Sequence, residues 1–241
     1  MEKITIYEDA KQASIAIAAL FASVVEKAVQ SRGICHVSLS GGETPRKAYE
    51  LLAKAPYCTG LPWQCIHIYW GDERCVPPTD SLSNQEMARR AFLNHVAIPE
   101  GNIHPIVYES SATKAAEKYE TLLCSALGQE HPQFDFVFLG LGDDGHTASL
   151  FPGTDVLSVT DHWVSSVYLE KQNMYRVTLT PAILNQARVI AFLVNGKGKA
   201  QVVQKILEKT SGTQSFPAEL IAPNSGELYW LLDQEAAILL K

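Results

Sequence analysis

Asp143, Asp144 and His146 lie in the run GLGDDGHTASLFPGT over 140–154, where two carboxylates and an imidazole are interleaved with Gly140, Gly142 and Gly145. A carboxylate two residues from a histidine can hold one ring nitrogen by a hydrogen bond and leave the other free to accept a proton, the pairing that general-base catalysis needs. A solvated surface turn is the plain alternative, but such turns rarely need three glycines beside one histidine. Charged or glycine-rich segments recur at comparable places. Asp72, Glu73 and Arg74 follow the apolar run CIHIYW; by charge alone they read as an exposed loop, and their place after a buried strand makes them functional candidates. Gly41-Gly42-Glu43-Thr44-Pro45-Arg46 follows ICHVSLS, and Asn195-Gly196-Lys197-Gly198-Lys199 follows VIAFLV. A glycine-rich turn before a helix offers free N–H groups at the positive end of the helix dipole, which suits an anion. Arg46 would add a guanidinium fork there. The lysines would neutralise a phosphate or, with equal weight, simply be solvated. A dinucleotide reading of the Gly41-Gly42 turn is weak, because that turn lacks the G-x-G-x-x-G spacing.

These residues need a scaffold that delivers strand ends to one place. Apolar runs too short for helices predict strands at Ile4–Tyr7, Ile34–Ser40, Cys65–Trp70, Phe134–Gly140, Trp163–Tyr168, Arg176–Leu179, Val189–Val194 and Leu228–Leu232, with a short one near 102–106. Helical spacing predicts Ala10–Gln30, capped by Asp9, with Ile15, Ala18, Ala19, Ala22 and Val25 as its inner stripe. Further helices are predicted from about Pro45 to Lys54 with Thr44 as cap, at Asn84–Asn94, from Ser111 or Thr113 to Leu127, at Pro181–Asn185 and at Ala200–Lys209. His67 in mid-strand reads as a packed residue, and Thr210–Ser215 as a polar linker. Strands alternating with helices imply an α/β fold: a single domain over 1–241 with a mostly parallel, Rossmann-like sheet and helices on both faces. In such sheets the carboxyl ends of the strands line the binding crevice.

Composition narrows the partners. With 241 residues, 46% hydrophobic and 19% charged, the chain can bury a core without staples. A formal charge of −6 argues against a nucleic-acid surface. Cysteines 35, 58, 65, 75 and 124 form no C-x-x-C pair, which fits neither a disulfide framework nor a zinc site and suits a reducing cytoplasm. The start MEKITIYEDA lacks signal-peptide features, and no uninterrupted apolar stretch approaches membrane-spanning length, so a soluble cytoplasmic protein is expected.

The segments SGGETPRKAYELL, WGDERCVPPTDSLSN, FDFVFLGLGDDGHTASLFPGT, RVTLTPAILNQARVIAFLV and GKGKA occur in the order and spacing of the 6-phosphogluconolactonase family, and the chain resembles it from Ser38 to about Asp233. That family is similar to the glucosamine-6-phosphate isomerase/deaminases, which also carry an Asp-Gly-His turn. The deaminases continue with Asn-Glu-Pro, whose glutamate serves ring opening, and have Asp-Glu-Tyr in the earlier loop; here Thr147-Ala148-Ser149-Leu150-Phe151-Pro152 and Asp72-Glu73-Arg74 stand instead. The resemblance implies hydrolysis of 6-phospho-D-glucono-1,5-lactone to 6-phosphogluconate in the oxidative pentose phosphate pathway, with no cofactor and no metal. It implies His146 as base, Asp144 as its partner and Arg74 on either the lactone oxygen or the phosphate. Gly41, Gly42, Thr44, Arg46, Asp72, Arg176 and Lys199 would bind the substrate and its phosphate, Lys199 rather than Lys197 matching the family lysine. Glu43 departs from the small or basic residue common there, and an acid beside a phosphate is unfavourable unless it points away. The implied partner is the small-molecule lactone, without nucleic acid or membrane, and with coupling to glucose-6-phosphate dehydrogenase. The competing readings are a deaminase, in which Asp72 would be the proton-transfer base at C2, and a non-catalytic sugar-phosphate sensor.

Overall fold

The computed structural model describes residues 2–128, 130, 132–209 and 216–241. Its strands are β1 Glu2–Tyr7, β2 Cys35–Leu39, β3 Ile66–Trp70, β4 Asp72–Arg74, β5 Ile103–His104, β6 Phe136–Leu139, β7 Val164–Leu169, β8 Met174–Leu179, β9 Val189–Val194 and β10 Glu227–Asp233. The helices are α1 Ala10–Arg32, α2 Glu43–Leu52, α3 Tyr57–Gly60, α4 Asn84–Ala91, α5 Ala112–Leu127, α6 Pro181–Leu184 and α7 Ala200–Leu207. Seven strands form a parallel sheet in the order β1-β10-β9-β6-β2-β3-β5. Every residue of β6 (FVFL) and β9 (VIAFLV) is buried, which is why both read as unbroken apolar runs rather than as alternating ones. From β2 the chain steps outward through β3 to β5, and from β6 it steps the other way through β9 to β10. The order therefore reverses between β2 and β6, and the crevice that binds ligands in open α/β sheets falls above that pair.

α1 starts at Asp9, whose carboxylate accepts from the Gln12 N–H, and stops at Gly33 in the left-handed region (φ 75°). Its inner face is Ala13, Ser14, Ile17, Ala18, Phe21, Val25 and Ala28, whereas Ile15 is 38% exposed. Of the predicted stripe Ala18 and Val25 are buried, whereas Ile15 and Ala19 are exposed, so the inner face is rotated from the expected one. An alanine-rich helix gives a weak phase signal, and the ring of Phe21, packed on Phe136, Phe138 and Trp63, sets the face. By length and composition α1 could cross a membrane, a property the sequence reading did not single out. In the fold it lies along β9, β10 and α2 with that face in the core.

Two expectations for local structure change. α2 begins at Glu43 with Gly42 as its N-cap and no side-chain cap bond, so Thr44 lies inside the first turn instead of capping it. The mostly parallel sheet is as expected, and strands β4, β8 and β7 add a second, antiparallel sheet that the alternation of strands and helices did not separate from it. The β7–β8 hairpin turns through 170–172 and Asn173, whose φ of 47° is the left-handed conformation asparagine tolerates. The Thr210–Ser215 linker lies outside the described residues.

Candidate active site

Loops leaving the carboxyl ends of β2, β3, β6 and β9 close around one pocket of about 270 Å³ above the switch between β2 and β6. Gly41, Gly42, Thr44, Asp72, Arg74, His146, Arg176 and Lys199 all line it, joining residues far apart in the chain. Asp144 stands behind His146, outside the lining. Arg46 is not brought in. Its guanidinium pairs with Glu43 and Glu50 along α2 and does not itself line the pocket, although Glu43 does. The helix spacing explains this, because Glu43 and Glu50 lie three and four residues from Arg46, on the same helix face. That pairing also answers the Glu43 departure. Arg46 holds the Glu43 carboxyl below its usual range and neutralises the acid at the pocket rim.

The His146 turn is built by short backbone bonds: Gly142 N–H donates to the His146 carbonyl at 2.8 Å, and Gly145 N–H donates to the Gly142 carbonyl at 3.0 Å. A Cβ on Gly142 would sit 2.0 Å from His146 Nδ1, so only glycine lets the imidazole fold back over the turn. His146 Nδ1 lies 2.5 Å from Asp144 Oδ1, which also accepts the His146 backbone N–H at 3.1 Å. With Nδ1 carrying the proton toward that carboxylate, Nε2 is the basic nitrogen. Phe151 stacks on the imidazole at 4.0 Å between centroids and 23° between planes. Burial would raise the Asp144 carboxyl, but the hydrogen bonds and charge of His146 outweigh it and hold the group below its usual range.

The charged triplet after β3 splits into separate tasks. Asp72 is 6% exposed; its carboxylate accepts from Ser149 Oγ at 2.6 Å and from Asn84 Nδ2 at 3.2 Å. Asn84 reaches it because Gly41 has no side chain, where a Cβ would meet Asn84 Oδ1 at 1.9 Å. Glu73 turns inward and accepts from the backbone N–H groups of Arg74, Asn84 and Gln85 at 2.7–2.8 Å and from Ser83 Oγ at 3.1 Å, anchoring the start of α4. Burial pushes its carboxyl up, opposed by those N–H donors.

Arg74 and Arg176 face each other across the β4–β8 ladder. Arg74 donates to the Leu82 carbonyl and Arg176 to the Gln172 side-chain oxygen, while the Nε of each is buried and, among the described residues, without a partner. Among the described residues neither forms an ion pair with a carboxylate. Arg176 is 8% exposed; burial and then the charge of Arg74 depress its pKa. Two neighbouring guanidiniums held this way are costly without an anion and well placed to take one with more than a single charge. Lys199 completes the cationic wall and lies 2.5 Å from Asp143. Asn84, Ser149, Phe151 and Gln172 escaped the sequence reading. Asn84, Ser149 and Phe151 lay inside segments already singled out and Gln172 did not, and nothing local marks an asparagine, a serine or a phenylalanine as a support for another residue.

The sequence profile described as glucosamine-6-phosphate isomerases/6-phosphogluconolactonase matches residues 8–230. A 6-phosphogluconolactonase of Synechocystis sp. is 44% identical over 216 residues, spanning 88% of this chain and 87% of that protein. Another, of Haemophilus influenzae, is 35% identical over 205 residues, 85% of this chain and 87% of the relative. The structure of 6-phosphogluconolactonase from Trypanosoma cruzi superposes with a TM-score of 0.89 at 30% identity, covering 100% of this chain and 97% of that one.

Proposed function

This chain belongs to the glucosamine-6-phosphate isomerase/6-phosphogluconolactonase family, and we propose that it hydrolyses 6-phospho-D-glucono-1,5-lactone to 6-phosphogluconate in the pocket at the carboxyl ends of β2, β3, β6 and β9. The observation that carries this reading is the juxtaposition of an Asp144-bound imidazole with Arg74, Arg176 and Lys199 in a single cavity. A lactone hydrolase needs a base for water at one end of its substrate and a grip on the phosphate at the other.

His146 Nε2 takes a proton from the water that attacks C1. Asp144 stabilises the imidazolium that results. The tetrahedral intermediate then collapses, the bond from C1 to the ring oxygen breaks, and the imidazolium returns its proton to that leaving oxygen. A new carboxyl group and a free hydroxyl are the products. The phosphate is held by the uncapped first turn of α2 at Gly41, Gly42 and Thr44, by Arg176 and by Lys199. Arg74 joins them, because it shares with Arg176 the lack of a carboxylate partner. Asp72, fixed by Ser149 and Asn84, accepts from sugar hydroxyls. Arg46 leaves the binding set and acts on it only through Glu43.

The deaminase alternative lacks its glutamate, since 147–152 reads TASLFP. A sensor would have no use for an aspartate-bound imidazole. The finer setting belongs to the same proposal: residues 1–241 work as a single domain in the cytoplasm, without nucleic acid or membrane, on lactone that glucose-6-phosphate dehydrogenase supplies.

The test is hydrolysis of freshly made lactone coupled to 6-phosphogluconate dehydrogenase, corrected for spontaneous opening. His146→Ala should lower kcat by about 10²- to 10⁴-fold, the usual contribution of a positioned base, while affinity for 6-phosphogluconate stays near wild type. Wild-type turnover in that variant removes His146 from the mechanism. Ammonia released from glucosamine 6-phosphate would favour the deaminase.

A further inference from the structure

The Lys199 ammonium already has an anion. Its Nζ lies 2.5 Å from Asp143 Oδ1, and the two side chains differ sharply in setting: that of Lys199 is 26% exposed and lines the pocket, that of Asp143 is 80% exposed at the rim. Among the described residues Asp143 has no other hydrogen-bond or ion-pair partner, and it does not line the pocket. It stands one residue before the carboxylate that holds His146. The pair therefore ties the catalytic turn after β6 to the loop between β9 and α7, at the edge of the anion site.

We infer that Asp143 is an internal competitor for the phosphate, a carboxylate that occupies Lys199 in the empty enzyme and must give it up when substrate binds. This inference rests on the reading of Lys199 as a phosphate contact. The exchange is a trade of charge. A phosphate dianion brings two negative charges and several acceptor oxygens to Lys199, Arg74 and Arg176, so it displaces a single exposed carboxylate; a monoanion does so far less readily. The mobile partner is the exposed one, which regains water on release, so opening the pair costs little. Product leaves by the reverse step, with Asp143 returning to Lys199 as the phosphate departs. Asp143 thus sets affinity, and the preference for dianions, without touching the reacting carbon.

The measurement is binding of 6-phosphogluconate by calorimetry at fixed pH and salt, for wild type, Asp143→Asn, Lys199→Met and the double variant, together with kcat and KM for the lactone. An exposed ion pair is worth about 0.2–1 kcal/mol, so freeing Lys199 should tighten binding by roughly 1.4- to 5-fold. Asp143→Asn should lower Kd and KM by that factor with kcat little changed. In the Lys199→Met background the same substitution should have no effect on Kd. Equal or weaker binding by Asp143→Asn, or an equal gain with and without Lys199, overturns the inference. A fall in kcat without a change in Kd would mean that Asp143 serves only the shape of the turn, and overturns it too. Failure of the functional reading shows separately, as a wild-type protein that does not bind 6-phosphogluconate.

Discussion

His146 is restrained on two sides by residues of different chemistry. Asp144 takes its Nδ1 edge and Phe151 covers its face. The carboxylate does two things at once, orienting the ring and compensating the charge that appears on it during water attack. Asp144→Asn separates them, since an amide oxygen still accepts from Nδ1–H and from the backbone while the negative charge is gone. Turnover should fall by roughly 10- to 10²-fold, and binding of 6-phosphogluconate should be unchanged. A matching loss in Asp144→Asn and Asp144→Ala would assign the effect to charge, and a much larger loss in the alanine variant would assign the difference to orientation. The pairing of this carboxylate with this imidazole was legible in the sequence because the partners are two residues apart. Phe151 was not. Its role follows from the turn at 147–150, where Leu150 N–H bonds the Thr147 carbonyl and Ala148 adopts a φ of 48°, folding the chain back over His146.

At the level of elements, three neighbouring strands of the parallel sheet carry a cluster that does not line the pocket. His36 on β2, His67 on β3 and His104 on β5 lie on neighbouring strands; His67 Nδ1 is 3.0 Å from His104 Nε2, and His36 Nδ1 is 3.1 Å from the Tyr69 hydroxyl. Burial first, and then the other two histidines and Arg32, push His36 down to about 4, and burial lowers His67 and His104 as well. The folded protein holds these rings neutral at a pH where the unfolded chain, with imidazoles near 6.5, binds protons. Stability that is present above pH 6.5 is therefore lost as pH falls toward 4, by about 3 kcal/mol for His36 at most. Urea midpoints at pH 7 and pH 4.5 should differ, and His36→Gln should narrow the gap; an unchanged gap would place the acid sensitivity elsewhere. His67 was legible as a packed residue, whereas its partner His104 sits on a two-residue strand that only the neighbouring strand defines. The same division holds for the larger elements. Central strands such as VIAFLV announce themselves, because burial on both faces leaves no polar position. The β4–β8–β7 sheet does not, because its pairing depends on where Gly71 and Asn173 turn the chain, and so Arg74 and Arg176 could be named separately but not seen as neighbours.

For the molecule as a whole, charge and site pull in opposite directions. The net charge is −6, while the pocket gathers Arg74, Arg176 and Lys199 for an anionic substrate. The two fields differ in range. The repulsion comes from charges spread over the surface, at distances that salt screens early: the Debye length falls from about 30 Å at 0.01 M to about 10 Å at 0.1 M. The attraction acts over a few ångströms from a partly buried wall, where screening is weak until salt competes for the site itself. KM should therefore stay flat or fall slightly between about 0.01 and 0.1 M salt, as the long-range repulsion is removed, and rise by several-fold toward about 1 M. The rate constant kcat should hold steady, since no charge enters or leaves the pocket during the chemical step. Initial rates across a potassium chloride series at constant pH test this. A KM that climbs steadily from the lowest salt would mean that the substrate senses only the pocket cations. In that case Arg74, Arg176 and Lys199, set at the switch between β2 and β6, govern capture without hindrance from the acidic surface around them.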